Sequence, residues 1–377
     1  MLLGATACSR GDRSSARPGA APPALAAPPA LTTPPAPTAL AIAPPARDRL
    51  VLLAGGDVSF GRVVGQELLR APERDLFAGL GEWLAAADLR FANLEGPLSD
   101  QKGETQRAGM PLVFTGPPGG AEALSRAGFS VVSTANNHAW DYGRAALFET
   151  MANLERVGIT YAGTGRYREQ AYRPAVVAVG GFRVGFLAVT DIWNQGPLGE
   201  HEGAAFVAEA DGAALAKAVR LLKGSGEVDA VVVSYHGGSE YLDEPVQRTQ
   251  AILRGAIDAG ADVVLGHHPH VVQGVEWRAG KPIFYSLGNL LMRMNKDQAW
   301  TELGLVARVT LSREGVLEVL ACPTRIDGIT PVPLYRSANR EGYERRFFGH
   351  LGAVSRRVSG VVIGAPGADG CARLTAP

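Results

Sequence analysis

From Arg49 onward the chain alternates short apolar runs with longer amphipathic stretches. Residues 50–54, 89–93, 130–134, 230–235 and 263–265 are short and predominantly apolar, the pattern of strands buried on both faces. Between them, 63–70, 77–86, 119–127, 144–157, 211–222 and 245–259 read as helices. Strand and helix in alternation predict an α/β domain. Three pairs of apolar runs interrupt that rhythm: 175–178 with 184–189 across Gly180-Gly181, 271–277 with 282–287 across Ala279-Gly280, and 305–311 with 316–322 across 313–315. Turn-forming residues between paired runs read as hairpins. Parallel units combined with hairpins predict two packed mixed sheets with helices outside, a four-layer α/β/β/α sandwich. After Leu334 the periodicity fades into an Arg-rich and then a Gly/Ala-rich tail.

Before Arg49 the pattern is of another kind. Residues 11–47 are rich in Ala and Pro, which favour extended polyproline conformations and cannot pack a core. Ahead of them, small residues precede Cys8, as at the end of a bacterial lipoprotein signal. Ala5 stands where leucine is usual, and a basic segment and a full apolar run are missing. A disordered N-terminus that holds a cysteine is the alternative. The expected organisation is a lipoprotein-like signal remnant (1–8), a disordered Ala/Pro-rich linker (9–48), one folded domain (49–335) and a C-terminal extension (336–377). The expected location is extracytoplasmic, either membrane-anchored as a lipoprotein or periplasmic.

Composition narrows the chemistry. Lys+Arg and Asp+Glu both total 37, so no global basic field draws in nucleic acid or an acidic polymer from a distance. Nucleic acid is not an expected partner, and affinity for an acidic substrate must be local. Cys8, Cys322 and Cys371 lack the paired spacing of a zinc cluster, so sulfur is not expected to hold metal. In an oxidising compartment Cys322 and Cys371 would close a loop of roughly 49 residues, with a buried free thiol as the alternative.

The polar residues cluster just after the apolar runs, where open α/β sheets bind ligands. The first run ends in Gly56-Asp57-Val58-Ser59-Phe60-Gly61-Arg62 and the second in Asn93-Leu94-Glu95-Gly96. The third leads into Asn136-Asn137-His138-Ala139-Trp140-Asp141-Tyr142-Gly143, and a later one into Ser234-Tyr235-His236-Gly237-Gly238-Ser239-Glu240-Tyr241. The last gives Gly266-His267-His268-Pro269-His270, and Tyr285-Ser286-Leu287-Gly288-Asn289 follows. A lone histidine is usually structural. Five of the seven at successive strand ends, beside Asp, Glu and Asn, point to a metal site of carboxylate, amide and imidazole donors suited to Mn, Fe or Zn.

These segments, in this order from Gly56 to Asn289, resemble the calcineurin-like metallophosphoesterases, most closely the branch named for the capsule protein CapA, also called PgsA. The resemblance implies a metallophosphatase-like domain with one or two divalent ions. It implies Asp57 and His270 as ligands of a first metal, Glu95 as a bridging carboxylate, and Asn137, His236 and His268 as ligands of a second. His138 resembles the proton donor to the leaving group, with Asp141 orienting it. His267 falls outside the His-x-His pattern. Ser59 stands where typical phosphoesterases have a histidine, which weakens the first metal. Arg62 would pair with a phosphate or carboxylate, or point into water. Glu240 and Tyr241 would line the substrate pocket, or only brace the loop of His236. The polar segment 99–109 reads as a loop near the site, either a lid or a connector. The resemblance further implies a role in poly-γ-glutamate capsule synthesis or export, with an acidic polymer or a phosphoester as substrate and membrane-bound capsule synthesis proteins as partners. Within that role the open choices are a phosphoester hydrolase, a γ-glutamyl amide hydrolase and a non-catalytic polymer-binding assembly factor.

Overall fold

A computed structural model describes residues 47–294 and 298–377. Cys8, segment 1–8 and nearly all of 9–48 lie outside the described residues. The chain opens with β1 (Arg49–Val58), α1 (Arg62–Arg70), α2 (Gly81–Ala85) and β2 (Leu89–Leu94). It continues through α3 (Gly119–Arg126), β3 (Val131–Ser133), α4 (Gly143–Arg156), β4 (Thr160–Ala162) and α5 (Arg168–Ala171). The hairpin β5 (Ala175–Val179) and β6 (Phe182–Thr190) leads to α6 (Gly212–Gly224), β7 (Ala230–His236), α7 (Gln247–Asp258) and β8 (Val263–His267). A second hairpin, β9 (Val275–Arg278) and β10 (Lys281–Phe284), precedes β11 (Asn289–Leu291) and the long pair β12 (Leu303–Ser312) and β13 (Gly315–Asp327). The chain closes with β14 (Thr330–Pro333), α8 (Arg340–Arg356), β15 (Val362–Pro366) and β16 (Ala372–Thr375).

The strands form two mixed sheets. One has ten strands, ordered β15-β16-β13-β12-β1-β2-β3-β4, with β11 beside the end of β1 and β14 on β13. The other has six, ordered β5-β6-β7-β8-β10-β9. Strands β1 to β4 run parallel, as do β6 to β8. Three apolar clusters define the layers. Leu52, Phe91 and Val131 of the larger sheet meet Phe186, Val232 and Leu265 of the smaller in a core between the sheets. Val64 and Leu68 of α1 and Leu124 of α3 pack with Leu53 and Val132 on the outer face of the larger sheet. Val219 of α6 and Leu253 of α7 cover Val231 and Val233 on the outer face of the smaller one. This is the α/β/β/α sandwich expected from the pattern. Each fully buried Leu or Phe contributes about 1.5–3 kcal/mol, so the two inner faces hold the sheets together.

The C-terminal residues are more regular than their sequence suggests. Phe347 and Leu351 of α8 enter the core between the sheets, and β16 pairs with β13. Cys371, just before β16, is disulfide-bonded to Cys322 in β13. The helix carries its apolar residues among arginines and glycines, and its strands are short and paired at long range. Local periodicity therefore gives little sign of either. None of the described helices is long and apolar enough to cross a membrane.

Candidate metal centre

The parallel strands of both sheets deliver their C-terminal ends to one place. Asp57 is the penultimate residue of β1, Glu95 follows β2, and Asn137 and His138 lie in the loop after β3. From the smaller sheet, His236 ends β7, His267 ends β8, and His268 and His270 follow it. The strands approach closely because glycines stand just ahead of the site, Gly56 before Asp57 and Gly266 before the 267–270 run. A Cβ on Gly56 would stand 1.9 Å from the Gly288 carbonyl oxygen, and one on Gly266 would stand 2.0 Å from that of Tyr285. Side chains there would force apart β1 from β11 and β8 from the segment after β10.

All six residues expected as metal ligands are buried and lie close together. Asn93 Nδ2 bridges the sheets, donating to Asp57 Oδ1 at 2.8 Å and to His236 Nδ1 at 3.1 Å. His236 Nε2 lies 2.8 Å from Asn137 Oδ1, so the two ligand atoms converge. The His268 backbone N–H donates to Asp57 Oδ2 at 3.2 Å. His270 Nδ1 bonds Asn289 Oδ1 at 3.0 Å, which leaves Nε2 facing Glu95 Oε1 at 3.7 Å. His138 Nδ1 bonds Asp141 Oδ2 at 2.8 Å, and its Nε2 lies 3.8 Å from the same Glu95 oxygen. Asp141 Oδ2 also accepts the Phe114 backbone N–H at 2.9 Å, so the orienting carboxylate is itself held.

The charge balance is that of a site built for a cation. Both oxygens of Glu95 are buried without a hydrogen-bond partner among the described residues. Burial, with Asp57 and Glu240 nearby, pushes its carboxyl well above the usual range, while Arg62 opposes the shift. Burial also acts to raise Asp57, but the close imidazole of His267 and the charges of His236 and His270 outweigh it and hold the group well below the ordinary value. Burial pushes His236 and His270 down, and His268 down to about 3, so these imidazoles are neutral donors near pH 7. Neutral imidazole, carboxylate and amide oxygen form a donor set that fits Mn, Fe or Zn.

Two groups of side chains offer ligand atoms within 4.8 Å of one another: Asp57, Glu95 and His236, and Glu240, His268 and His270. This grouping differs from the one the resemblance implies. His236 falls with Asp57, and Glu240, expected to line the substrate pocket, falls within ligand reach. Ser59, in place of a histidine, turns its hydroxyl oxygen to the Gly61 N–H at 3.3 Å. His267 is fully buried, with Nδ1 3.4 Å from Asp57 Oδ1.

Arg62 and Tyr241 stand at the rim. The Arg62 guanidinium lies 4.5 Å from the ring centre of Phe114 and donates to the Pro111 carbonyl oxygen at 3.1 Å. The Tyr241 N–H donates to the Pro269 carbonyl at 2.9 Å, tying the loop after β7 to the His268–His270 turn. Burial and the neighbouring Glu240 push the Tyr241 hydroxyl up to about 12. Arg62, Tyr241, His268 and His270 all have positive φ (54°, 63°, 97° and 59°). Strained backbone of this sort gathers at functional sites. Sequence reasoning missed Asn93, Asn194 and Phe114. Asn194, after β6, accepts from Asn137 Nδ2 at 3.0 Å, and Phe114 packs its ring 4.1 Å from that of His138. Asn93 had a signal, since it lies inside the segment ending in Glu95. The other two sit in irregular loops without one.

The family model described as bacterial capsule synthesis protein PGA_cap matches residues 51–294. The capsule biosynthesis protein CapA of Bacillus anthracis is 29% identical over 304 residues, covering 79% of this chain and 73% of its own length. The PGA biosynthesis protein CapA of Bacillus subtilis (strain 168) is 29% identical over 293 residues, covering 76% of this chain and 74% of its own length. Among solved structures, the sulfate thiohydrolase SoxB of Thermus thermophilus in complex with glycerol matches 82% of this chain and 61% of its own length, with TM-score 0.42 and 14% identity.

Proposed function

The chain belongs to the bacterial capsule synthesis protein PGA_cap family, and from that premise we propose that it is a metal-dependent hydrolase serving poly-γ-glutamate capsule synthesis or export outside the cytoplasmic membrane. The observation that carries the reading is Glu95. A buried carboxylate with no hydrogen-bond partner must either take up a proton or be compensated by a cation, and the neutral imidazoles of His236 and His270 beside it supply a cation's other donors. Asp57, Glu95, Asn137, His236, His268 and His270 would hold one or two divalent ions of Mn, Fe or Zn, with Glu240 within ligand reach beside His268 and His270. With Ser59 in place of a histidine, the Asp57 group has the single imidazole of His236 against the two beside Glu240, so two ions would bind with unequal affinity.

Bound there, a divalent ion supplies Lewis-acid polarisation of the substrate oxygen. The remaining chemistry belongs to the chain. Asp141 fixes the His138 ring through Nδ1, so Nε2 is the atom that faces the site and passes a proton to the leaving group. Arg62 offers a planar fork of donors to a substrate phosphate or carboxylate. Phosphoester hydrolysis is the first reaction to assay, and cleavage of a γ-glutamyl amide the second. The weakened first-metal shell favours one further reading, a non-catalytic assembly factor that grips polymer carboxylates. The Cys322–Cys371 disulfide supports maturation in an oxidising compartment. Attachment through Cys8, and membrane-bound capsule synthesis proteins as partners, complete the proposal.

The test is metal analysis of the purified protein, then incubation with an aryl phosphate and with poly-γ-glutamate. Metal-dependent turnover of either substrate supports the hydrolase. Polymer binding without turnover moves the assignment to the assembly factor, and a protein that retains no metal sinks both.

A further inference from the structure

Loop 137–142, between β3 and α4, carries the proposed ligand Asn137 and proton donor His138, and three arginines border it. Arg62 lies over Phe114, whose ring packs on His138. Arg107 lies 4.4 Å over the ring of Tyr142, the neighbour of Asp141. Arg144 lies 5.9 Å over Phe206, which stacks on Trp140 at 5.7 Å. Residues 138, 140 and 142 of one loop thus each support, or form, the aromatic platform of a guanidinium. Among the described residues none of the three arginines forms an ion pair. Arg156, at the other end of α4 from Arg144, is paired with Glu122. A guanidinium laid on a ring keeps the donors at its edge available to an anion. The nearby carboxylates do not consume them. Asp141 is held by Phe114 and His138, and Glu104 accepts the Tyr142 hydroxyl. Glu240, whose charge also acts on Arg62, lies within ligand reach of His268 and His270.

We propose that Arg62, Arg107 and Arg144 form an extended subsite for a linear polycarboxylate, leading away from the metal centre along loop 137–142 and the start of α4 and engaging several carboxylates of one chain. The proposal rests on the metal-centre reading only for the end of the polymer that reacts. A formally neutral protein needs such a local cluster to hold a polyanion. Single exposed charge pairs are weak, so the track separates polymer from monomer by the number of contacts made at once.

Binding of labelled poly-γ-glutamate and of free glutamate to the full protein, measured against salt, tests this. The double variant Arg107→Gln/Arg144→Gln should bind polymer roughly tenfold more weakly, with a shallower salt dependence and wild-type metal content. Arg345→Gln/Arg346→Gln, which removes the same charge from α8, should bind as wild type, and glutamate should bind far more weakly than polymer. Unchanged binding by the loop variant, equal loss in the α8 variant, or equal affinity for monomer and polymer overturns the track. Asn137→Ala reports on the metal centre separately. If it keeps its metal, that centre is misassigned, and the arginine track stands or falls on the binding result alone.

Discussion

Asn137 has two chemically different ends, and the site uses both. Its Oδ1 faces His236 Nε2, while its Nδ2 donates to Asn194 Oδ1, so Asn194 decides which end faces inward. Asn137→Ala and Glu95→Gln should lose metal together with any activity. His138→Ala should keep its metal and slow turnover by about 10²–10⁴-fold, the range for a lost general acid. Equal metal loss in the histidine variant would show that His138 only braces the loop. Asn194→Ala should weaken metal binding by roughly 10–100-fold, as loss of an outer partner does, and Asn194→Asp, which keeps the acceptor, should weaken it less. Equal affinity in all three proteins would reduce Asn194 to a bystander. The inner residues were legible because each follows an apolar run and belongs to a recognisable segment. Asn194 lies in an irregular loop and meets Asn137 57 positions away in the chain, a contact that no local pattern encodes.

Strand ends, rather than helices, set the geometry at the next scale. Alternating apolar runs reveal β1, β2, β7 and β8, but not that β11 slots beside β1 with Asn289 opposite Asp57. That pairing explains the glycines. Gly266→Ala would drive a methyl into the Tyr285 carbonyl oxygen, and relieving the clash must separate β8 from its neighbour. The expected loss is about 2–4 kcal/mol of stability with reduced metal content, read by denaturant melts and metal analysis. A variant that keeps both stability and metal would mean the strands yield at no cost. The disulfide acts on the opposite flank, joining β13 to the segment before β16. Cys371→Ser should lower stability by about 4 kcal/mol in the chain-entropy model. Because β16 is paired to β13 only through residues 372–374, loosening should appear first as protease sensitivity near the C-terminus.

For the whole molecule, the buried site turns metal loading into a pH-dependent stability. In the metal-free protein His236, His268 and His270 all titrate below the ordinary imidazole value of 6.5. Below pH 6.5 the unfolded chain therefore binds more protons than the folded one at these three positions, so they favour folding at higher pH and stability is lost as pH drops. Glu95 works the other way. Its carboxyl holds a proton above the ordinary 4.5, so above that value its contribution falls as pH rises. Asp57, shifted downward, matters only below its ordinary value of 3.8. Between pH 4.5 and 6.5 three imidazoles oppose one carboxyl, so stability should rise as pH rises. Above pH 6.5 the imidazoles are neutral in both states and only the Glu95 contribution remains, so the curve should flatten and turn over. Thermal melts of chelator-treated protein from pH 5 to 8 test this. A midpoint independent of pH below 6.5 would contradict neutral buried imidazoles. Divalent metal should add most stability at the alkaline end, where it meets no competing proton and relieves the unpaired carboxylate. Glu95→Gln should then raise the metal-free midpoint at pH 8 while abolishing the stabilisation by metal. A variant less stable than wild type without metal at that pH would mean that Glu95 holds the fold together, rather than being a strained group kept for a cation.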